Sequence, residues 1–449
     1  MSKFADSLCQ LNRRRFAQGC GISALGLTLP QLLRADETTL KTKKADACIV
    51  LWMSGGPPQH ETFDPKPEAP SEIRGEFRPI STAIPGVQFS ELLPSLAKRV
   101  KDLCVLRAMS TRNNAHSSSG YWMLTGREHP RGAIEIAGQQ SPDDWPCIGG
   151  VIRHLVKDKA GLPSSVILPE SLYNDPMDFW PGQNGGFLGR SADPWTMKCD
   201  PSQPDFHVEE LQTPIDVSRE RFVSRLALLE QVERNKNGDR FTQQAVELIS
   251  SPIVRRAFDL REEPDSIKES YGRHKFGQSC LLARRLVEAG VRLIQVNWPR
   301  EKNDNMTGFP VWDTHRNNNA RVREALCPPA DRAFAALIDD LKSRGMLEST
   351  LIVWMGEFGR SPRFNSMGGR DHWGNVFCSV LAGGGVKGGY VHGSSDRFGA
   401  EPRDGIVSPP DLQATIYQAL GISPATEIQD RLGRPFPIAT GKVLNEIFI

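Results

Sequence analysis

Six short, largely apolar stretches recur along the chain, and each ends at turn-forming or polar residues. The first runs from Ala47 to Met53 and is followed by the turn sequence Ser-Gly-Gly-Pro-Pro. The other five cover residues 103–106, 165–168, 292–296, 351–355 and 377–381. Continuous apolar runs of this length are typical of strands buried on both faces, as in a parallel sheet. We therefore predict that these stretches form a mainly parallel sheet.

Between some of these strands, apolar residues recur every three or four positions, as in an amphipathic helix. One such pattern runs from Phe334 to Leu341, and another runs from Leu412 to Leu420 and is followed by the helix-ending Gly421. Alternating strands and helices predict an α/β fold. Residues from about 218 to 290 are charged and helical in pattern. We predict a helical insert there, which packs against the sheet and could form a cap over the site.

The N-terminal segment begins with a basic group and continues into a short apolar stretch. Arg13 and Arg14 stand directly ahead of the apolar residues 21–33, a layout similar to a twin-arginine export signal. The alternative is a basic arm followed by an ordinary helix. The stretch is shorter than the roughly 20 residues of a membrane-spanning helix. We predict a signal segment over residues 1–35 and a linker over 36–46. The protein is then expected to use the twin-arginine export machinery as a partner and to be periplasmic or secreted. We predict no stable transmembrane span. Cleavage near Ala35 and an uncleaved anchor both remain open.

The overall charge is nearly balanced, with 55 basic and 53 acidic side chains. This balance argues against nucleic acid or an anionic membrane as a partner. Any anion that the protein binds has to be held by a local site.

Potential metal ligands are concentrated in about 80 residues of the C-terminal half, mostly in connections after predicted strands. They are Asp313, His315, Glu357, Asp371, His372 and His392. Ligands of open α/β sheets bind beyond the carboxyl ends of the strands. Carboxylate and imidazole without thiolate suit zinc first, with manganese, calcium or iron as alternatives. The competing interpretation pairs Glu357 with Arg360 or Arg370 and makes each histidine a hydrogen-bonded interior residue.

The spacing of these ligands sets conditions on the backbone. Asp313 and His315 point to one face if their segment is extended. Asp371 and His372 are adjacent, so both reach one centre only from an irregular turn, for which Gly368 and Gly369 give the freedom.

A second polar cluster follows the strand at 103–106 and contains His116, Ser117, Ser118 and Ser119. A hydroxyl at the start of a helix lies where backbone N–H groups hold an anion. A metal ion nearby would turn such a hydroxyl into a nucleophile. The alternative is that one of these serines is simply a helix cap.

Four phrases resemble one known bacterial family. They are Gly55-Gly56-Pro57 with residues 61–67, Gly356-Glu357-Phe358-Gly359-Arg360-Ser361-Pro362, Gly369-Arg370-Asp371-His372-Trp373, and Ala382-Gly383-Gly384-Gly385-Val386-Lys387-Gly388-Gly389. The chain resembles the "domain of unknown function 1501" family from about Cys48 to its C-terminus. That family resembles the alkaline-phosphatase and sulfatase superfamily. The resemblance implies a three-layer α/β sandwich over residues 47–449, with a large sheet and a one- or two-metal site.

The resemblance also implies roles for individual residues. His116 falls at the position that sulfatases modify to formylglycine, so Ser117 is the expected nucleophile, with Ser118 behind it. Arg112 or Arg370 is expected to neutralise the anion.

The superfamily's first metal-binding Asp has no counterpart in this chain, because Ser54 stands there. The nearest substitutes are His60, Glu61 and Asp64. Later metal ligands of the superfamily resemble Asp371, His372 and His392 here.

The function implied is an exported metal-dependent hydrolase of phosphate or sulfate monoesters, acting on a small-molecule or glycan ester. The alternative is a non-catalytic exported binding protein that retains the fold.

Overall fold

The computed structural model describes residues 43–136, 141–159, 161–174, 178–208, 251–300 and 311–449, with Arg221, Ser224 and Leu228. The predicted signal segment, most of the linker and much of the predicted insert lie outside these residues. None of the described helices is long and apolar enough to cross a membrane.

An eight-stranded sheet forms the centre of the fold. All six residues of its central strand, β1 (Ala47–Trp52), are buried. The strands in chain order are β1, β2 (Pro79–Ser81), β3 (Gln88–Ser90), β4 (Leu103–Met109), β5 (Ser165–Leu168), β6 (Trp195–Thr196), β7 (Leu293–Asn297), β8 (Thr350–Met355), β9 (Gly359–Arg360), β10 (His372–Trp373), β11 (Phe377–Ala382), β12 (Tyr390–His392), β13 (Ser394–Ser395), β14 (Pro402–Asp404), β15 (Glu427–Gln429) and β16 (Pro435–Pro437).

The large sheet has the strand order β12-β4-β11-β8-β1-β7-β5-β6, and the remaining strands form two-stranded ribbons. All pairs in the large sheet are parallel except those made by β11, which runs antiparallel to β4 and β8. All six apolar stretches that predicted strands form strands of this sheet. The predicted α/β fold with a large, mainly parallel sheet is confirmed.

Helices cover both faces of the sheet. They are α1 (Ser71–Arg74), α2 (Pro94–Lys98), α3 (His116–Thr125), α4 (Ile148–Leu155), α5 (Pro252–Phe258), α6 (Asp265–Tyr271), α7 (Lys275–Ala289), α8 (Asn318–Arg321), α9 (Cys327–Ser343) and α10 (Pro409–Ala419), with a π-helical turn at Val322–Leu326 and 3₁₀ turns at Val100–Asp102, Gly186–Leu188, Arg190–Ala192, Leu260–Glu262 and Asn445–Ile447.

Alternate residues of β1 belong to two separate apolar cores, because successive side chains of a strand point to opposite faces. Ile49 and Leu51 pack in one core with Phe276 of α7 and Phe334 of α9. Cys48, Val50 and Trp52 pack in the other core, with residues of α3, α4 and α10. The result is three layers, helix on sheet on helix. The described part of the predicted insert, from residue 251, packs in the first of these cores.

Candidate metal centre

The loops that follow three strands of the large sheet meet at one edge. The loop after β1 brings Gly55, the loop after β8 brings Glu357, and the loop after β4 leads to His116 at the start of α3. β1, β4 and β8 run in the same direction, so their carboxyl ends lie at the same edge. This is the edge at which open α/β sheets bind ligands.

Two glycines allow the segment around Asp313 to approach this edge. A Cβ on Gly55, whose φ is +106°, would lie 2.3 Å from the backbone nitrogen of Asp313. A Cβ on Gly369 would lie 2.0 Å from the backbone carbonyl of His315. The chain from 313 to 315 is therefore enclosed between two backbones that only glycine lets so close.

Three imidazoles and one carboxylate converge between these loops. Asp313 Oδ1 lies 3.1 Å from the Nε2 atoms of both His315 and His372, and these two Nε2 atoms are 2.8 Å apart. Asp313 Oδ2 lies 3.5 Å from His116 Nε2. Ligand atoms of His116, Asp313 and His372 all lie within 4.8 Å of one another. We call these four residues the cluster.

The Nδ1 atom of each cluster histidine faces an oxygen at hydrogen-bond distance. The partners are Glu357 Oε1 for His116 (2.7 Å), Asp371 Oδ1 for His315 (2.9 Å) and the Asn114 carbonyl oxygen for His372 (2.7 Å). A carbonyl oxygen accepts only, so His372 Nδ1 carries a proton. In the neutral ring, Nε2 then has the lone pair that a metal ion could bind. Holding Nδ1 in this way is how proteins orient metal-binding histidines.

The cluster needs a positive charge beside its nitrogen atoms. Two Nε2 atoms 2.8 Å apart cannot both present lone pairs, so a proton or a metal ion has to lie beside them. Arg360 contacts Asp313 Oδ1 at 2.6 Å, but the site holds three carboxylates, that of Asp313 in the cluster and those of Glu357 and Asp371 beside it. A divalent cation would balance this charge. Imidazole and carboxylate donors fit zinc, manganese or iron.

The pKa values of the cluster residues reflect the crowding of charges in a buried site. Burial would raise the pKa of the Asp313 carboxyl, yet Arg360 and the histidines hold it well below its usual range. The pKa of His372 is lowered, chiefly by burial. Burial also disfavours a charged His116, but Asp313 and Glu357 together raise its pKa to about 9. Buried Glu357 has a second oxygen, Oε2, without a hydrogen-bond partner among the described residues.

Binding of a divalent metal is expected to release protons and to strengthen as the pH rises. With a pKa of about 9, His116 carries a proton at pH 7 that a metal ion on Nε2 has to displace. Metal affinity should rise up to about tenfold per pH unit between pH 7 and 9, then level off. Calorimetric titration in buffers of different ionisation enthalpy counts these protons. His154→Ala, at the exposed end of α4, should leave the count unchanged. Metal binding without proton release at pH 7 would exclude His116 as a ligand.

The other predicted metal ligands lie around the cluster or away from it. Glu357 and Asp371 form an outer layer, since they hold histidines of the cluster. His60 Nε2 bonds to the Phe398 carbonyl, Asp64 pairs with Lys66 at 3.0 Å, and His392 lies on β12 with Glu446 3.6 Å away. The side chains of His60, Asp64 and His392 therefore do not reach the cluster.

The predicted catalytic residues also occupy different surroundings. His116 belongs to the cluster, and Ser117 follows it in the first turn of α3. Arg112 is exposed, has a φ of 49°, and its guanidinium has no partner among the described residues. Arg370 is fully buried and binds Glu61 Oε1 through Nε (3.0 Å) and Nη2 (2.6 Å).

Sequence reasoning missed three groups that touch the centre. Arg360 binds Asp313, whereas the sequence suggested only a pairing of Glu357 with Arg360 or Arg370. The Asn114 carbonyl holds His372, and Glu135 binds the start of α3. Arg360 lies in the same Gly-Glu-Phe-Gly-Arg phrase as Glu357, so its position could have been noticed; a backbone carbonyl leaves no signal in sequence.

Comparisons with known proteins identify the family. Residues 45–448 match the family model described as "Protein of unknown function (DUF1501)". No curated protein is significantly similar in sequence. The PsFucS1 sulfatase from Pseudoalteromonas sp. shares 14% identity with a TM-score of 0.41, over 87% of this chain and 72% of the other. The phosphonate monoester hydrolase SpPMH from Silicibacter pomeroyi shares 13% identity with a TM-score of 0.40, over 90% and 76%.

Proposed function

The chain belongs to the DUF1501 family, and we propose that it is an exported metal-dependent hydrolase of phosphate or sulfate monoesters. The observation that carries this proposal is the cluster itself. Three imidazoles with fixed Nδ1 atoms turn their Nε2 atoms toward one carboxylate, at an edge of the sheet where ligands bind. Such an arrangement is costly to maintain for structure alone, because burying charges requires exact partners.

The residues of the cluster would divide the work between them. His116, Asp313, His315 and His372 would hold the metal, while Glu357 and Asp371 keep the histidines in place. A metal bound there would polarise the ester oxygens as a Lewis acid. Arg112, exposed and without a described partner, would meet the negative charge of the ester. Ser117 would attack, and the alcohol released would belong to a small molecule or a glycan.

Export would fit the way the centre is built. The cluster joins residues from 116 to 372, so it exists only after the chain has folded. A twin-arginine route, proposed from Arg13 and Arg14, carries folded proteins and would allow the metal to be loaded beforehand.

One observation favours the second candidate, a non-catalytic exported binding protein. The Ser117 side chain is fully buried. Its hydroxyl donates to Glu135 Oε2 at 2.8 Å and accepts from the Ile136 backbone N–H at 2.6 Å. A hydroxyl so engaged is not presented to an external ester.

Turnover of aryl phosphates and aryl sulfates distinguishes the two candidates. The full chain, stripped with a chelator and supplied with single divalent metals, is expected to hydrolyse one of these esters only when metal is present. Ser117→Ala should lower kcat by at least about 100-fold, the order of effect of losing a nucleophile or its activation. Ser118→Ala is the comparison variant, since that hydroxyl pairs with Asn113 inside the protein. Loss of turnover in Ser118→Ala but not in Ser117→Ala would assign the nucleophile to Ser118, the second candidate.

Two results would overturn the proposal. If no divalent metal binds or raises the melting temperature, the hypothesis of a metal-dependent hydrolase is wrong. If metal binds and no ester is hydrolysed, the binding-protein candidate is favoured.

A further inference from the structure

Residues 134–136 lie against the start of α3, where Glu135 and Ile136 form hydrogen bonds with His116 and Ser117. Ile134 and Glu135 lie at the surface, whereas Ile136 is 5% exposed and anchors the segment in the protein. Below them, Ser117 is 0% exposed. We call residues 134–136 the strap, since their hydrogen bonds tie them to the buried Ser117 and its neighbour.

The Glu135 carboxylate attaches the strap to the site through both of its oxygens. Oε1 accepts from the His116 backbone N–H at 2.5 Å. Oε2 accepts from the backbone N–H and the hydroxyl of Ser117, at 3.2 and 2.8 Å, and from Asn174 Nδ2 at 3.1 Å. Charge-assisted bonds of this kind are stronger than neutral ones. Glu135 therefore holds the strap in place with most of the bonds that join it to α3.

These contacts occupy the Ser117 hydroxyl in both of its roles. Its proton is directed at Glu135 Oε2, and one lone pair accepts the Ile136 N–H. Attack on an ester requires the oxygen to lie about 3–3.5 Å from the reacting atom with a lone pair aimed at it. No ester can approach so closely while the strap lies over a fully buried side chain.

We propose that Glu135 is a positioning residue that holds Ser117 in a closed arrangement, and that the strap has to leave Ser117 before it can attack. The inference rests on the proposed function in taking Ser117 as the nucleophile. It explains why Ser117 is fully buried although it follows a cluster histidine directly.

Another role for Glu135 predicts the opposite result. Ser117, Glu135 and Asn174 also have the order of a nucleophile, a base and a group that orients the base. Removing a base would slow every reaction of Ser117. Removing a residue that holds the strap closed would speed it.

A fluorophosphonate probe reads the accessibility of Ser117 without requiring the protein's own substrate. The serine oxygen forms a bond to phosphorus, the phosphorus–fluorine bond breaks with its electron pair on fluoride, and the hydroxyl proton passes to solvent. Mass spectrometry of the full chain then gives the rate of Ser117 labelling. In Glu135→Ala we expect labelling about tenfold faster than in wild type, the size of change that losing a helix cap produces in a local opening. Slower labelling, or an unchanged rate, would overturn the proposal.

Control variants separate this effect from general unfolding. Ser117→Ala fixes the background, and Glu128→Ala removes an exposed carboxylate of the same loop and should label at the wild-type rate. Glu135→Asp keeps the charge on a shorter side chain and should restore slower labelling, which a nonspecific loss of structure would not do. If Glu135→Ala fails to fold, Glu135→Gln tests the same contact with the shape retained. Absence of ester turnover with fast labelling would count against the proposed function alone.

Discussion

Replacing His372 by alanine is expected to abolish divalent metal binding and, with it, ester turnover. The Nε2 atom of His372 lies 3.1 Å from Asp313 Oδ1 and 2.8 Å from His315 Nε2, between the other donors of the cluster. Loss of a residue that merely orients a ligand weakens metal affinity by about 10–100-fold, so loss of a ligand should exceed that range. Elemental analysis of the purified variant, and the rise in melting temperature on adding metal, measure the effect directly.

His392→Ala is the matched control for this experiment. His392 is a half-buried histidine of the same part of the chain, but it lies on β12 beside Glu446. Its removal should leave metal content and turnover unchanged. If the His372 variant keeps its metal and the His392 variant loses it, the cluster is not the metal site. The predicted ligands outside the cluster would then be the better candidates.

The strands could be predicted from sequence because a strand buried on both faces is a continuous run of apolar residues. Residues 165–168 are a strand with the predicted bounds, and the predicted run at 351–355 lies within Thr350–Met355. The direction of β11 could not be predicted in the same way. Its run of apolar residues is like that of a parallel strand. Only loops and the two-residue strands β9 and β10 separate it from β8, and a parallel neighbour would need a longer crossover, usually a helix.

The centre was predictable only as a set of candidates. Position after a strand selects the correct edge of the sheet, which is why Asp313, His315 and His372 were included. It does not say which loops meet. His60 and Asp64 lie in the same segment after β1 as Gly55, yet the structure places their side chains against Phe398 and Lys66. The direction in which His116 and the serines after it face is likewise decided by packing, as with the stacking of Trp180 on His116.

Arg370→Ala is expected to destabilise the protein by about 3–5 kcal/mol, the usual cost of breaking a buried ion pair. Arg370 was predicted to neutralise a bound anion, but its five N–H groups are directed at Glu61 and at the carbonyls of Ile73, Ser361 and Pro362. Glu61 is 1% exposed, so the variant leaves a buried carboxylate without its cation. Urea denaturation of the metal-free chain measures the change in unfolding free energy.

The surroundings of Arg370 supply both the control and the reverse test. Arg363 forms an exposed pair with Glu72 at 3.7 Å, and Arg363→Ala should change stability by no more than about 1 kcal/mol. Replacing Glu61 and Arg370 together by methionine should recover part of the loss, because no unpaired charge then remains. The three carbonyls would still lose their donor, so recovery should be incomplete. A variant of Arg370 with wild-type stability and a raised KM would instead mean that the guanidinium is free to meet substrate. The anion-neutralising role would then belong to Arg370 rather than to the exposed Arg112.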